Sequence, residues 1–255
     1  MKVASWNVNS IRVRLPQVLD WLASTQPDVL CLQETKVPDN EFPFDAFSAA
    51  GYHAVASGQK TYNGVATISR KPVKDIVTEI EGIDSEQHRL LAVTYEGARI
   101  VNVYVPNGSE IGSDKFAYKL GWLSGLKNYL SREMKRSPEL VLVGDFNVAP
   151  EDRDVHDPVA WQGSVLVSDD ERAALAAITD LGLVDVYRQF EQEPESYSWW
   201  DYRAGAFRRN DGLRIDLILC SQALAARCKQ SWIDKGPRQL ERPSDHAPVV
   251  AEFSN

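Results

Sequence analysis

The sequence predicts an α/β fold with mixed sheets, and three observations carry that prediction. Short runs rich in Val, Ile, Leu and aromatic residues recur along the whole chain, as strands buried on at least one face require. Amphipathic stretches at helical spacing lie between some of them. Between residues 52 and 105 the strand-like runs follow one another across short turns with no helix between, so hairpins must interrupt any parallel crossovers. No linker, low-complexity tract or repeat of fixed period breaks the 255 residues, and one domain over residues 1–255 is expected.

In chain order, a strand is predicted at residues 3–8. A helix follows at 15–23, with Val18, Leu19 and Leu22 on one stripe. Strands are predicted at 29–33, 52–56, 65–69, 90–95 and 100–105. Residues 115–135 place Phe116, Leu120, Leu123, Leu126, Leu130 and Met134 three and four apart, which predicts a long helix with one apolar face. A strand at 140–143 leads into the longest irregular segment, 149–167, read as a surface loop over a site. Ser168-Asp169-Asp170-Glu171 has the form of a capping box opening a helix over 172–181, with Gly182 closing it. Strands at 215–220 and 248–253 complete the series.

Hydrophobic content of 44% and charged content of 25% are ordinary for a globular enzyme. No apolar run approaches the ~18 residues of a membrane span, and the chain enters a strand pattern at once, so a cytoplasmic protein without a leader peptide or membrane contact is expected. Cys31, Cys220 and Cys228 have no zinc-like spacing and read as reduced core thiols. The net charge of −8 excludes a histone-like binder. It leaves room for an enzyme that grips a polyanion along one face, because Phe207-Arg208-Arg209 and Arg214 form a local basic stretch.

Four polar clusters interrupt apolar runs. In Ser5-Trp6-Asn7-Val8-Asn9-Ser10, alternation turns Asn7 and Asn9 to one face, opposite Trp6 and Val8; a polar strand end would read the same way. The run 28–33 ends in Glu34, a carboxylate at a strand's carboxyl edge where open sheets hold ligands. Residues 140–143 run into Gly144-Asp145-Phe146-Asn147, where Asp145 and Asn147 share a face: one can accept a proton from water, the other can steady an oxyanion. An Asx turn is the competing account.

The fourth cluster joins Asp216, inside an apolar strand, to Arg242-Pro243-Ser244-Asp245-His246-Ala247-Pro248-Val249. An ionised carboxylate within a strand is costly unless paired, and a working imidazole needs an orienting acceptor. Asp216 is therefore the expected partner of His246, which leaves Asp245 free for metal or water. Tyr104 shares strand parity with Asn102 and could donate to a phosphate oxygen. Around Trp199 and Trp200, aromatics interleave with Arg203, Arg208 and Arg209, as on a surface that stacks bases and meets phosphates; of two consecutive tryptophans, one should be core. There is no GxSxG, GxxxxGK[ST] or HExxH motif. Carboxylates, carboxamides and a lone imidazole favour Mg²⁺ or Mn²⁺ over zinc.

These motifs, with Leu32-Gln33-Glu34-Thr35-Lys36, Gly144-Asp145-Phe146-Asn147-Val148-Ala149-Pro150, Gly212-Leu213-Arg214-Ile215-Asp216 and Ser244-Asp245-His246-Ala247-Pro248, run in order from residue 3 to 253. The chain resembles the exonuclease III family of abasic-site endonucleases. The resemblance implies a DNase I-like four-layer α/β sandwich, two mixed β-sheets packed face to face with helices outside. It implies a Mg²⁺- or Mn²⁺-dependent DNA repair phosphodiesterase that cleaves 5′ to abasic sites and trims 3′ ends. Its expected partner is double-stranded DNA with abasic sites or blocked 3′ ends, met as a monomer. The metal set it implies is Glu34 with Asn7, Asp145, Asn147 and Asp245. Tyr104, Asp145, Asn147, Asp216, Asp245 and His246 take the catalytic roles, and Asn107, Trp199, Trp200, Arg208, Leu213 and His246 the DNA contacts. Asn107 stands where many relatives carry glutamine, and Leu213 where some carry an aromatic. A small or lipid phosphoester is the alternative substrate. A non-catalytic RNA-binding regulator on the same fold is disfavoured, since Glu34, Asp145, Asp216, Asp245 and His246 are all present.

Overall fold

The computed structural model describes residues 1–83 and 85–254. The chain runs β1 (Lys2–Asn7), α1 (Ile11–Thr25), β2 (Val29–Gln33), α2 (Phe44–Ala49), β3 (His53–Ser57), β4 (Val65–Ser69), β5 (Lys74–Val77), β6 (Leu90–Tyr95) and β7 (Ala98–Tyr104). It continues through α3 (Asp114–Arg136), β8 (Leu140–Asp145), α4 (Pro158–Trp161), α5 (Asp169–Thr179), β9 (Leu183–Asp185), β10 (Trp199–Trp200) and α6 (Ala206–Arg209). Last come β11 (Gly212–Leu213), β12 (Asp216–Ser221), α7 (Gln222–Ala225), β13 (Cys228–Ile233) and β14 (Val249–Phe253).

Two six-stranded mixed sheets form, in the orders β13-β14-β1-β2-β4-β3 and β5-β6-β7-β8-β12-β9. Val3, Val29, Cys31 and Val65 of the first sheet share one apolar interior with Val93, Ile100, Val141, Val143 and Ile218 of the second. Alternation sends Ala4, Trp6, Leu30 and Leu32 to the other face, where Val18 and Leu22 of α1 and Phe47 of α2 cover them. On the second sheet, Val101, Val103, Leu142, Leu217 and Leu219 meet Leu123, Leu126 and Leu130 of α3 and Leu175 and Ile178 of α5. The result is the expected four-layer α/β sandwich of the DNase I-like kind. Burial on both faces explains why the central strands read as unbroken apolar runs.

Each sheet has one parallel pair at its centre, β1 beside β2 and β7 beside β8. Their registers align Asn7 with Gln33 and Tyr104 with Asp145, and antiparallel β12 brings Asp216 opposite Asp145. Five polar positions named above are thereby delivered to neighbouring strand ends. A hydrogen-bonded brace ties the sheets just beneath: Asn102 donates to the carbonyls of Leu32 and Ala66 at 3.1 and 3.0 Å, and Gln33 donates to Asn102 at 2.8 Å.

Several boundaries differ from the sequence expectation. α1 starts at Ile11 rather than residue 15 and tolerates Pro16 inside it. Its first turn is held by Ser10 and Ile11 amides donating to Glu34 and Thr35 carbonyls, a tertiary anchor that sequence does not display. β5 and β13 are edge strands with exposed positions, so they lack an apolar run, and β9 is too short to show one. Cys228 lies on β13 and is only partly buried, unlike Cys31 and Cys220, which are core thiols as expected. The capping box forms as read: Ser168 and Glu171 satisfy each other's amides, and α5 begins at Asp169. Among the described residues, no helix is long and apolar enough to cross a membrane.

Gly144 sits at φ +150°, and a Cβ there would lie 1.9 Å from the Val103 carbonyl oxygen on the paired strand. The strand can reach Asp145 only without a side chain at this point. Gly144→Ala is therefore expected to destabilise the fold by about 3 kcal/mol or more, read as a lower thermal midpoint or loss of soluble protein.

Candidate active site

The site forms where the carboxyl ends of β1, β2, β7 and β8 meet the start of β12 and the turn before β14. One ligand atom each from Glu34, Asp145 and His246 lies within 4.8 Å of the others. Asn7 binds two of these groups together: its Nδ2 donates to Glu34 Oε1 at 2.8 Å and to Asp145 Oδ2 at 2.9 Å. His246 is fixed from three directions. Its backbone N–H donates to Ser244 Oγ at 3.2 Å, its carbonyl accepts from Trp6 Nε1 at 3.2 Å, and its Nδ1 meets Asp216 at 2.9 Å. Nε2 faces Asp145 Oδ2 at 3.7 Å. The pairing of His246 with Asp216, across 30 residues, is the one that strand alternation predicts.

Charge is crowded here. Burial pushes the Asp145 carboxyl up to about 7; His246 counters that, while Asp216 and Glu34 add to it. Burial alone would lower the His246 imidazole, but the Asp216 and Asp145 carboxylates raise it to about 10. Burial also raises Glu34, yet the Lys36 ammonium at 2.8 Å and the Asn7 amide hold it below its usual value. Tyr104 is pushed well up by burial and by Glu34 and Asp145. Three carboxylates thus share one imidazole and one ammonium, a set of hard oxygen donors still short of positive charge. That is the donor chemistry a hard divalent cation takes.

Asn147 lies beside the cluster at φ +49°. Its N–H donates to Asp145 Oδ1 at 2.9 Å, so the Asx turn weighed above is present as well. Its side chain is set by Nδ2 donating to the Val105 carbonyl at 3.0 Å and by Asn107 donating to its Oδ1 at 3.2 Å. One Nδ2 hydrogen stays available to an oxyanion.

Other expectations need correction. Asp245 is not left free: Oδ1 accepts from Asn9 at 3.0 Å and Oδ2 from Trp199 Nε1 at 3.0 Å, and it stands outside the three-residue cluster. Asn7 turns its NH₂, not its oxygen, to the carboxylates, and its oxygen accepts from the Asn9 N–H at 3.0 Å. Trp200 is wholly buried among Tyr197, Ala206 and Ala247, with Nε1 donating to Asn210 at 3.1 Å. It is the core member of the tryptophan pair and has no face for DNA. Leu213 is also wholly buried, packed with Ala149, Val155 and Ile215. It shapes the floor under partly exposed Trp199 rather than meeting a base. Asn107 and Arg208 are exposed.

Two residues in the site were missed. Lys36 pairs with Glu34 and with Asn9; its opposite charge two residues beyond Glu34 was the available signal. Arg89 lies 4.6 Å from the Tyr104 ring centroid and donates to its carbonyl at 3.3 Å. The hairpin register that pairs Leu90 with Val103 places it there.

Over residues 4–246 the chain matches the Endonuclease/Exonuclease/phosphatase family. It is 36% identical to "Exodeoxyribonuclease III" of Haemophilus influenzae, covering 99% of this chain and 100% of that one. Among solved structures, the 3′ phosphatase NExo from Neisseria bound to product DNA hairpin superposes with a TM-score of 0.98 at 47% identity, with 100% of both chains covered. An AP endonuclease from Archaeoglobus fulgidus superposes with a TM-score of 0.96 at 43% identity, again with 100% of both chains covered.

Proposed function

This chain belongs to the Endonuclease/Exonuclease/phosphatase family, and from that membership we propose that it is a Mg²⁺-dependent DNA repair nuclease. It is a hydrolase acting on DNA, an AP endonuclease with exonuclease and phosphatase activity like its relatives. In this reading it hydrolyses the phosphodiester 5′ to an abasic site, leaves a 3′-hydroxyl, and removes blocking groups from 3′ ends. The observation that carries the reading is the convergence of Glu34, Asp145 and His246 within 4.8 Å, with Asp216 behind the imidazole. In this reading the chain works as one domain, which the interior shared by both sheets supports, and is expected to do so as a monomer in the cytoplasm.

Glu34 and Asp145 would hold the cation, oriented by Asn7. Bound there, a divalent cation would neutralise phosphate charge and leave the phosphorus more open to attack. The residues of the chain do the rest. Asp145, ionised, accepts the proton of the attacking water. The imidazolium of His246, held by Asp216, donates a hydrogen bond to a phosphate oxygen through Nε2, and the departing 3′-oxygen takes its proton from water. Asn147 offers its remaining amide hydrogen to the charge that builds in the transition state. Trp199, beside Asp245, and Asn107, beside Asn147, would meet the duplex, with exposed Arg208 as a phosphate contact.

End-labelled duplexes carrying an abasic analogue, a recessed 3′ end or a 3′-phosphate, each with Mg²⁺ and with EDTA, test this directly. Product lengths should show incision 5′ to the lesion and 3′-end trimming, all lost with EDTA. Turnover of a small phosphoester with no DNA product would end the reading. Because Asp145 must ionise to take a cation, and its carboxyl stands at about 7, Mg²⁺ affinity should strengthen as pH rises through about 7. The gain in thermal midpoint on adding Mg²⁺, compared on either side of that pH, reads this out; equal gains on both sides would contradict it.

A further inference from the structure

Lys119 on α3 and Glu171 on α5 form a salt bridge with no solvent exposure on either side chain. Taking both charges out of water offsets most of their attraction, so such a pair is a weak source of stability. What sets this pair apart is where its other hydrogen bonds go. Lys119 Nζ donates to the Asn147 carbonyl at 2.6 Å and to the Asn107 carbonyl at 3.0 Å. Glu171 accepts from the Leu166 and Ser168 amides at 3.0 and 3.1 Å. Leu166 in turn takes the Ala149 N–H on its carbonyl at 2.7 Å. One buried ammonium therefore ties together the two turns whose carboxamides touch each other, Asn107 and Asn147. The left-handed turn at Asn147, a conformation asparagine tolerates, is thus held on its amide side by Asp145 and on its carbonyl side by Lys119.

We propose that Lys119, clamped by Glu171, is a positioning residue that holds the Asn147 carboxamide where the transferring phosphate develops charge. This rests on the DNA phosphodiesterase reading above. The three N–H donors of Lys119 are taken by Asn107, Asn147 and Glu171, which leaves none for substrate. Its action on the reaction runs through the placement of Asn147, not through contact with DNA.

The test is a double-mutant cycle on kcat and KM, read on whichever of the abasic duplex, recessed 3′ end or 3′-phosphate the wild type turns over. Lys119→Met should lower kcat by about 10- to 100-fold, as a small misplacement of a catalytic group does, with KM changed by less than about 3-fold. In an Asn147→Ala background the same substitution should lower kcat by less than about 3-fold, since the group it positions is already gone. Multiplicative losses in the two backgrounds, or an unchanged kcat in Lys119→Met, would overturn the inference. If Lys119→Met does not fold, Glu171→Gln removes the charge and one of the two acceptor oxygens that the Leu166 and Ser168 amides use, and keeps the other; it should show the same non-additivity with Asn147→Ala. If neither variant folds, the pair serves the fold alone and the inference fails. A wild type inactive on all three DNAs would instead remove the functional reading, so the two failures are distinguishable.

Discussion

Asp145→Asn is expected to lower cleavage of an abasic duplex by about 10³-fold or more while the protein stays folded. Asp145 is almost fully buried at the end of β8, and both carboxylate oxygens are engaged, Oδ1 by the Asn147 N–H and Oδ2 by Asn7. The amide has nearly the same shape, so the β8 terminus and the Asn147 turn persist. It keeps an acceptor for the Asn147 N–H, and its NH₂ meets the NH₂ of Asn7 unfavourably. Relief from burying one carboxylate among three offsets that local penalty, so the thermal midpoint should stay within a few degrees. What disappears is the proton acceptor and one of two anionic ligands for the cation. Activity within a few-fold of wild type, measured on folded protein, would remove Asp145 from the mechanism.

Asp216→Asn should cost about 10²- to 10⁴-fold in kcat, although Asp216 touches no substrate in the proposed mechanism. An amide oxygen can still accept from His246 Nδ1 and hold the ring's tautomer. It cannot hold the imidazole's charge, which the Asp216 carboxylate at 2.9 Å stabilises more than any other neighbour. The sign of the pH effect follows. His246 stands at about 10 in the folded protein against 6.5 for an ordinary histidine. The stability this contributes is fully present below pH 6.5 and is lost as pH rises through about 10. Thermal melts of the EDTA-treated wild type should therefore decline across that window, and those of Asp216→Asn should decline less. Parallel slopes for the two proteins would show that Asp216 does not set the charge of His246.

Much of the fold was legible because the central strands of both sheets are covered on both sides. β2, β4, β6 and β8 appear in the sequence as apolar runs bounded by polar residues, and α3 and α5 show their stripe and their cap. Edge strands were illegible for the converse reason. β5 and β13 are exposed on one side and carry Lys, Asp and Gln, so nothing local separates them from loop. The site was legible where strand alternation could speak. Asn7, Glu34, Asp145, Asp216 and His246 all come to one place, and the Asp216–His246 pair follows from parity. Alternation could not say what else each group would meet. Asp245 looked free because its partners, Asn9 and Trp199, arrive from distant segments. Trp199 and Trp200 were separable as one exposed and one core residue, but which was which depended on how the β10–β11 hairpin lies against residues 245–247.

Local pattern by itself determined the element types, the mixed sheets and the chemistry of the clusters, because propensity, side-chain alternation and residue type act over a few neighbours. The ordered motifs determined the family likeness. Only the tertiary structure decided which oxygens and nitrogens meet: that Asn7 bridges Glu34 and Asp145, that Asp245 anchors Trp199, that Leu213 lies under the surface, and that Lys119 reaches Asn147 from α3. Those contacts are set by strand order and by the packing of α3 and α5 across the second sheet. Such contacts join residues far apart in the chain, Trp6 and His246 at 240 positions among them, over distances at which no local rule operates.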